Sequence, residues 1–392
     1  MIHVGLDGQS WDNERGFGRF TRSLVGALAA RDAGFRYTLI CDRPPERPLP
    51  DGIDVVVAGA SHSMAESASG DSARRGADLL TLARRAARLR PDLLFFPASY
   101  SFFPVLGRIP ALVCIHDTIP ERFPDLVFPT RRNHLLWRAK GWLARRQARR
   151  ILTVSESSAR DIARMLSVPR DRIDVTTEGA QPVFAPLDDP RRAEDIRRHH
   201  GIDPRDRLLV YVGGFNRHKN VVSLIRAMPE ILSHAPRTRL VIVGRTTGAR
   251  FWDNIADLQD AARRDARSSD RIVFAGELSD PDMAGLLAIA DALVMPSLWE
   301  GFGLPALEAM SCGTPVLASD RGSLPEVVGD AGLFFDPTDP HALAAQAIRL
   351  LSEPGLGATL RRNAFARAGQ FGWDKAARLT EQSFRRTLGL LA

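Results

Sequence analysis

The sequence predicts an α/β protein of two domains, each a parallel sheet covered by helices on both faces. Three observations lead there. Short apolar runs of strand length alternate with helix-length segments along the whole chain, the order that parallel crossover connections require. The length of 392 residues exceeds what one core ordinarily holds and points to two domains of roughly 180 to 200 residues each. Near the middle, the prolines in Gln181-Pro182-Val183-Phe184-Ala185-Pro186-Leu187-Asp188-Asp189-Pro190 interrupt regular structure, which places the boundary between residues 185 and 186.

In the first half, strands are expected near Ile2–Leu6, Tyr37–Ile40, Ile53–Val57, Asp92–Phe96, Ala111–Ile115, Ile151–Val154 and Ile173–Thr176. In the second half they are expected near Leu208–Val212, Leu240–Val243, Arg271–Phe274, Ala292–Met295, Pro315–Ala318 and Leu333–Phe335. These are short apolar or β-branched runs, as in strands buried on both faces. The start, Met1-Ile2-His3-Val4-Gly5-Leu6-Asp7, lacks the basic residues and long apolar stretch of a secretion signal and reads as the first strand. His62 to Asp71, rich in Ser, Ala and Gly, reads as a mobile loop.

Apolar content of 44% and charged content of 25% are those of a globular protein in water. No run of eighteen apolar residues occurs, so no transmembrane helix is expected. Cys41, Cys114 and Cys312 are widely scattered, which argues against a disulfide framework or zinc site and fits a reducing cytoplasm. The charge is unevenly placed. Residues 1–185 carry 27 Lys and Arg against 20 Asp and Glu, whereas residues 186–392 carry 26 of each. The densest acid-free stretch is Arg131–Arg150, with eight Lys and Arg. Within it Leu135, Ala139, Trp142 and Leu143 recur at helical spacing. Such a helix suits an anionic membrane surface, or it is an ordinary domain helix with its apolar stripe in the core. The basic pI alone suggests nucleic acid; no aromatic-interleaved basic motif supports it, and none is expected as a partner.

The most informative segment is Pro296-Ser297-Leu298-Trp299-Glu300-Gly301-Phe302-Gly303-Leu304-Pro305-Ala306-Leu307-Glu308. It follows the strand Ala292–Met295, and Pro305 suits the first position of a helix that would stop at Gly313. Phe302, Gly303 and Leu304 would then offer backbone N–H groups at a helix N-terminus, a seat for a phosphate. Glu300 on the loop and Glu308 in the helix can face the same ligand. Carboxylates repel phosphate, so they are better matched to hydroxyls. A ligand with both groups is a nucleotide-sugar.

With its flanking Gly313-Thr314-Pro315-Val316, this segment resembles the paired-glutamate motif of family 4 retaining glycosyltransferases. The resemblance covers essentially the whole chain, most specifically residues 207–340. It implies the GT-B fold, an α/β architecture of two Rossmann-like domains facing across a cleft. Residues 1–185 would be the acceptor-side domain and residues 186–372 the nucleotide-sugar donor domain. Phe371-Gly372-Trp373-Asp374 and the helix to Leu388 resemble the family's ending, in which the last helix, within 373–392, crosses back to the N-terminal domain.

Four further segments are read with this resemblance. Tyr211-Val212-Gly213-Gly214-Phe215-Asn216-Arg217-His218-Lys219-Asn220 joins a strand to a helix; its glycines permit a tight turn and Arg217 and Lys219 add charge. It resembles the family's diphosphate loop, with Lys219 in the lysine position. Gly214 stands where many relatives carry arginine, so Arg217 is the candidate to supply that charge. His116, in His116-Asp117-Thr118-Ile119-Pro120, ends a strand, where ligands of open parallel sheets bind, and matches a family histidine facing the donor sugar. In Arg15-Gly16-Phe17-Gly18-Arg19-Phe20, Gly16 and Gly18 match a loop that approaches the diphosphate, or form a plain turn. Glu277 and Leu278 match a segment that contacts the nucleotide base through backbone groups. Ser155 and Glu156 either line the cleft or cap the helix that follows.

The resemblance implies a cytoplasmic, retaining transferase that moves a sugar from a nucleotide-diphosphate sugar to a glycan or lipid-linked acceptor hydroxyl. Catalysis is expected to rest on His116, Arg217, Lys219 and Glu300, with Glu300 on sugar hydroxyls and Glu308 on the ribose. No metal or other cofactor is expected, since no Asp-x-Asp motif suited to holding a metal is found. His116 to Pro120, with Phe123-Pro124, resembles bacterial mannosyl- and rhamnosyltransferases of surface-polysaccharide assembly. GDP-mannose is therefore the first expected donor and a UDP-sugar the second. A GT-B epimerase or phosphorylase, or a non-catalytic nucleotide-sugar binder, is the competing reading, and a peripheral membrane position is the further expectation.

Overall fold

The computed structural model describes residues 1–14, 16–59, 76–187, 189–245 and 254–391. The loop expected at His62–Asp71 lies outside them. The chain divides into two compact units, one made of Met1–Glu178 with Gly372–Ala392 and the other of Gly179–Phe371. The first unit thus ends sooner than the proline stretch suggests, shortly after its last strand, and residues 179–185 go with the second unit.

The first unit holds β1 (Ile2–Asp7), β2 (Phe35–Cys41), β3 (Ile53–Val57), β4 (Leu93–Phe96), β5 (Ala111–Cys114), β6 (Arg150–Thr153) and β7 (Ile173–Val175). They form one parallel sheet in the order β3-β2-β1-β4-β5-β6-β7. β4 and β5 are buried at every position, whereas the edge strand β3 is half-exposed, as pairing on one side only leaves it. The sheet order reverses between β1 and β4, so the loops leaving their carboxyl ends stand side by side there.

The last helix, Trp373–Leu388, belongs to this unit although it is the end of the chain. Its inward face is Ala376, Ala377, Thr380, Glu381, Ser383, Phe384 and Thr387, a continuous helical stripe. Phe384 meets Phe35 and Phe95 edge-on, at ring-centroid distances of 5.6 and 5.3 Å. Arg31 donates to buried Glu381 at 2.9 Å, and Asp174 accepts from Ser383 at 2.6 Å and from Arg386 at 3.1 Å.

The second unit holds β8 (Arg207–Val212), β9 (Thr238–Val243), β10 (Ile272–Gly276), β11 (Ala292–Met295), β12 (Val316–Ser319) and β13 (Gly332–Phe335). Their parallel order is β10-β9-β8-β11-β12-β13, so this sheet reverses between β8 and β11. Its core gathers Leu209, Tyr211, Leu240, Ile242 and Val294 of the sheet with Leu224, Met228 and Ile231 of the helix Val221–His234. Both units are Rossmann-like.

Candidate functional site

The strongest cluster lies where the second sheet reverses. The loop after β8 carries Gly213 to Asn220, and the loop after β11 carries Pro296 to Gly303. They are tied directly: the Leu298 amide donates to the His218 carbonyl at 2.8 Å. Lys219 Nζ donates to both carboxylate oxygens of Glu300, at 2.8 and 2.9 Å. Ser297 Oγ donates to Glu300 Oε1 at 2.6 Å. The Glu300 backbone carbonyl accepts in addition from the amide and hydroxyl of Ser323. A Cβ at Gly322 would stand 2.7 Å from that carbonyl, so the loop packs against bare backbone.

The electrostatics follow from this pairing. Burial pushes the Glu300 carboxyl up, but the Lys219 ammonium and the Ser297 hydroxyl outweigh it and hold its pKa below the ordinary value. His218, beside them, is driven down to about 4 by burial and by the Lys219 charge. An ammonium has three N–H donors. Contact with both oxygens of Glu300 leaves Lys219 donor capacity for a ligand while holding the cation in place.

The surrounding backbone is shaped for close approach. Gly213 has φ of +154° and a Cβ there would stand 2.9 Å from the Tyr211 hydroxyl, which itself donates to the Gly214 carbonyl at 2.6 Å. Asn220 adopts a left-handed φ of 54°, rare outside glycine, and its side chain donates to the Pro337 carbonyl at 2.7 Å. Such a conformation costs free energy and persists because its surroundings hold it. Arg217 opens the short turn Arg217–Lys219 and is exposed.

Gly303, at φ of +93°, caps the helix Leu304–Ser311, with Pro305 in its first turn. A Cβ at Gly303 would stand 2.8 Å from Leu324. Phe302 is buried against Phe371 at 5.7 Å, and Glu308 is 1% exposed in the same helix. The positive end of this helix therefore adjoins the Glu300–Lys219 pair. Glu277 and Leu278 follow β10, the edge strand, and Glu277 is exposed and bonded to Arg245 at 3.1 Å. Asp280-Pro281-Asp282 is the first turn of the helix Asp280–Ala288, where Asp282 accepts from the Ser279 cap at 2.6 Å. Among the described residues no group of three His, Cys, Asp or Glu side chains is placed to hold a metal.

The remaining candidates lie in the first unit, also at the carboxyl ends of its strands. His116 follows β5. Its Nε2 is 2.9 Å from the Pro97 carbonyl, its Nδ1 is 3.9 Å from Glu178 Oε1, and Phe17 and Phe20 flank it edge-to-face. Burial disfavours its charged form, yet Cys114 and Glu178 outweigh that and raise its pKa well above the ordinary histidine value. Gly16 and Gly18, expected on a loop, stand instead in the first turn of the helix Gly16–Ala29, and they differ. A Cβ at Gly18 would stand 1.8 Å from the Asn13 carbonyl, whereas Gly16 has open space. Gly18 is thus required where the first turn of this helix packs against the backbone of Ser10 and Asn13. Tyr100, from the loop after β4, meets Phe17 in a tilted arrangement at 4.9 Å and accepts from Asn13 at 3.3 Å. Ser155 caps the helix Glu156–Leu166 by accepting from the Ser158 amide at 3.0 Å, and exposed Glu156 pairs with Arg170. Sequence reasoning passed over Ser297 and Glu178. Ser297 was legible in its spacing of three from Glu300, while Glu178 reaches His116 only through the fold.

The helix Arg131–Gln147 buries only Ala144 among its residues. Leu135, Leu136 and Trp142 are 67%, 49% and 58% exposed. Arg131, Arg132, Arg138, Ala139 and Arg146 share their outward face. Of the stripe expected to choose between a membrane and the core, Leu135, Ala139 and Trp142 are exposed, while Leu143 packs against the first unit's core. Trp137 turns inward and donates to Glu121 at 3.0 Å.

Comparison with known proteins agrees with this geometry. Residues 15–181 match the family model "Glycosyltransferase Family 4" and residues 192–367 match "Glycosyl transferases group 1". The chain is 34% identical over 238 residues to O-antigen chain mannosyltransferase B of Escherichia coli, covering 61% of each. It is 35% identical over 234 residues to D-inositol 3-phosphate glycosyltransferase of Acidothermus cellulolyticus, covering 58% of this chain and 51% of that one. The matches thus span about half to three-fifths of the length of these relatives. Among solved structures, sucrose-phosphate synthase of Thermosynechococcus elongatus superposes with a TM-score of 0.77 at 21% identity, covering 99% of this chain and all of the other. Anabaena Alr3699/HepE, solved with UDP and glucose, gives 0.75 at 19% identity over 98% and 99% of the two chains. These likenesses establish the fold as GT-B. With its first unit matched by one model and its second by the other, the chain belongs to the family 4 and group 1 glycosyltransferases.

Proposed function

We propose that the protein transfers a sugar, with retention and without a metal, from a nucleotide-diphosphate sugar to a hydroxyl of a glycan or lipid-linked acceptor in the cytoplasm. The observation that carries this reading is the Ser297–Glu300–Lys219 cluster at the sheet reversal, beside the N-terminus of the helix Leu304–Ser311. Departure of a nucleoside diphosphate builds negative charge on a phosphate oxygen. A fixed ammonium and a helix N-terminus meet that charge without reorganising. Arg217 adds an exposed cation to the same loop. Glu300 keeps acceptor capacity for sugar hydroxyls beyond its bonds to Lys219 and Ser297, Glu308 is assigned to the ribose, and the backbone at Glu277 and Leu278 to the base. His116 and the helix start at Gly16–Gly18 are assigned to the sugar and acceptor side. GDP-mannose is favoured because the Escherichia coli relative is a mannosyltransferase; a UDP-sugar is the alternative.

Incubation with GDP-mannose, UDP-glucose and UDP-N-acetylglucosamine should release the diphosphate fastest from GDP-mannose once a mannose-terminated acceptor is added. The product should carry the donor's anomeric configuration by NMR, and chelation should leave the rate unchanged. Acceptor-independent epimerisation of the sugar, or tight donor binding without any product, would replace this reading.

The outward face of Arg131–Gln147 favours work at an anionic membrane surface. Among the described residues no helix is long and apolar enough to cross a membrane. Each basic residue near such a surface contributes about 1 kcal/mol, screened beyond roughly 8 to 10 Å at ordinary ionic strength. Two leucines and a tryptophan add apolar insertion, which salt does not screen. The protein should co-sediment with phosphatidylglycerol vesicles and weakly with phosphatidylcholine ones. The triple change Leu135→Ser, Leu136→Ser, Trp142→Ser should weaken that at least about tenfold, the effect of losing roughly 1.4 kcal/mol of insertion. Equal sedimentation of both proteins would leave the face without this role.

A further inference from the structure

We infer that Glu178 is a positioning residue that holds His116 as an imidazolium, so that His116 acts in transfer as a fixed positive charge and not as the base that takes the acceptor's proton. The geometry decides it. A backbone carbonyl only accepts, so the 2.9 Å contact with Pro97 requires a proton on His116 Nε2. In a neutral ring that proton leaves Nδ1 bare. Nδ1, however, faces the Glu178 carboxylate at 3.9 Å, and both side chains are nearly buried, at 10% and 8% exposure. A bare nitrogen lone pair opposed to a buried carboxylate is repulsive, and protonating Nδ1 converts the repulsion into an ion pair.

The other walls of the ring do not reverse this. Phe17 and Phe20, from the helix Gly16–Ala29, are uncharged, and Cys114, the last residue of β5, acts in the same direction as Glu178. Burial alone would favour the neutral ring; Cys114 first and Glu178 second oppose it and raise the His116 pKa well above its ordinary value, and Glu178 is the carboxylate of the two. With both nitrogens donating, His116 has no lone pair for an incoming hydroxyl. The part played in transfer rests on the function proposed above. The protonation state does not.

The test is a titration of protein carrying ¹⁵N-labelled histidine, with His116 assigned through His116→Gln. Both ring nitrogens of His116 should be protonated at neutral pH. In Glu178→Gln, an isosteric change, Nδ1 should lose its proton at a lower pH than in the unmodified protein, while Glu178→Asp, which keeps the charge, should retain it. A bare Nδ1 in the unmodified protein at neutral pH overturns the inference, as does a titration unaffected by Glu178→Gln. In transfer assays Glu178→Gln should lose turnover about tenfold for each pH unit above its new His116 pKa and recover on acidification, with little change in KM. A turnover that instead rises as His116 deprotonates would restore it as a base. If no donor supports transfer, the function proposed above fails while the titration still decides the ion pair.

Discussion

Lys219→Ala is expected to lower turnover by at least about a hundredfold, the scale of removing one preorganised stabiliser of developing charge. The magnitude follows from how the side chain is held. A free lysine loses much of its strength to hydration and rotamer freedom, but this one is fixed by both oxygens of a buried carboxylate that Ser297 fixes in turn. Its charge is aimed before the donor arrives, so little reorganisation is needed as the phosphate departs. Single-turnover measurement of diphosphate release tests it, and near-normal release would remove the leaving-group role.

The same geometry separates the two glutamates. Glu300→Ala frees Lys219 from its partner, so affinity for free nucleoside diphosphate should hold or rise while transfer falls. Glu308→Ala should weaken that affinity, because its assigned partner is the ribose. Calorimetry with the free diphosphate distinguishes them, and equal losses in both variants would sink the assignment.

The strands were legible because each is a short, largely apolar run in a parallel sheet, the central ones buried throughout, a pattern local to a few residues. The position of Glu300 on a loop before a Pro-started helix was legible for the same reason. Pairing across the chain was not. Lys219 and Glu300 meet only because β8 and β11, distant in sequence, are neighbours in the sheet. The sequence assigned one to phosphate and the other to sugar; the fold adds that they hold each other. The direction of the Leu135–Trp142 stripe could not be read either, since helical spacing defines a face without saying what covers it. Gly16 and Gly18 read alike in sequence, and the backbone of Asn13 and Ser10 distinguishes them.

Phe384→Ala should cost the first unit about 3 to 5 kcal/mol, the range for truncating a large buried aromatic. The last helix is joined to this unit by a mixture of polar and apolar contacts, and their weights differ. Arg31–Asp374 joins an arginine to a carboxylate that is 62% exposed, worth little in water. Arg31–Glu381 is more consequential, because Glu381 is only 3% exposed and would be left as an unpaired buried charge without Arg31. Phe384 outweighs either. It is fully buried, and its ring fills the space between Phe35 of β2 and Phe95 of β4, where no small side chain can follow it. A single melting temperature is poorly defined for a chain of two units, so hydrogen exchange resolved by peptide is the suitable measurement. Protection should fall in β1, β2, β4 and the helix Trp373–Leu388 and stay unchanged in β8, β9 and β11. Loss of protection spread evenly over both sheets, or confined to the final helix, would mean that Phe384 does not anchor that helix to the first unit's core.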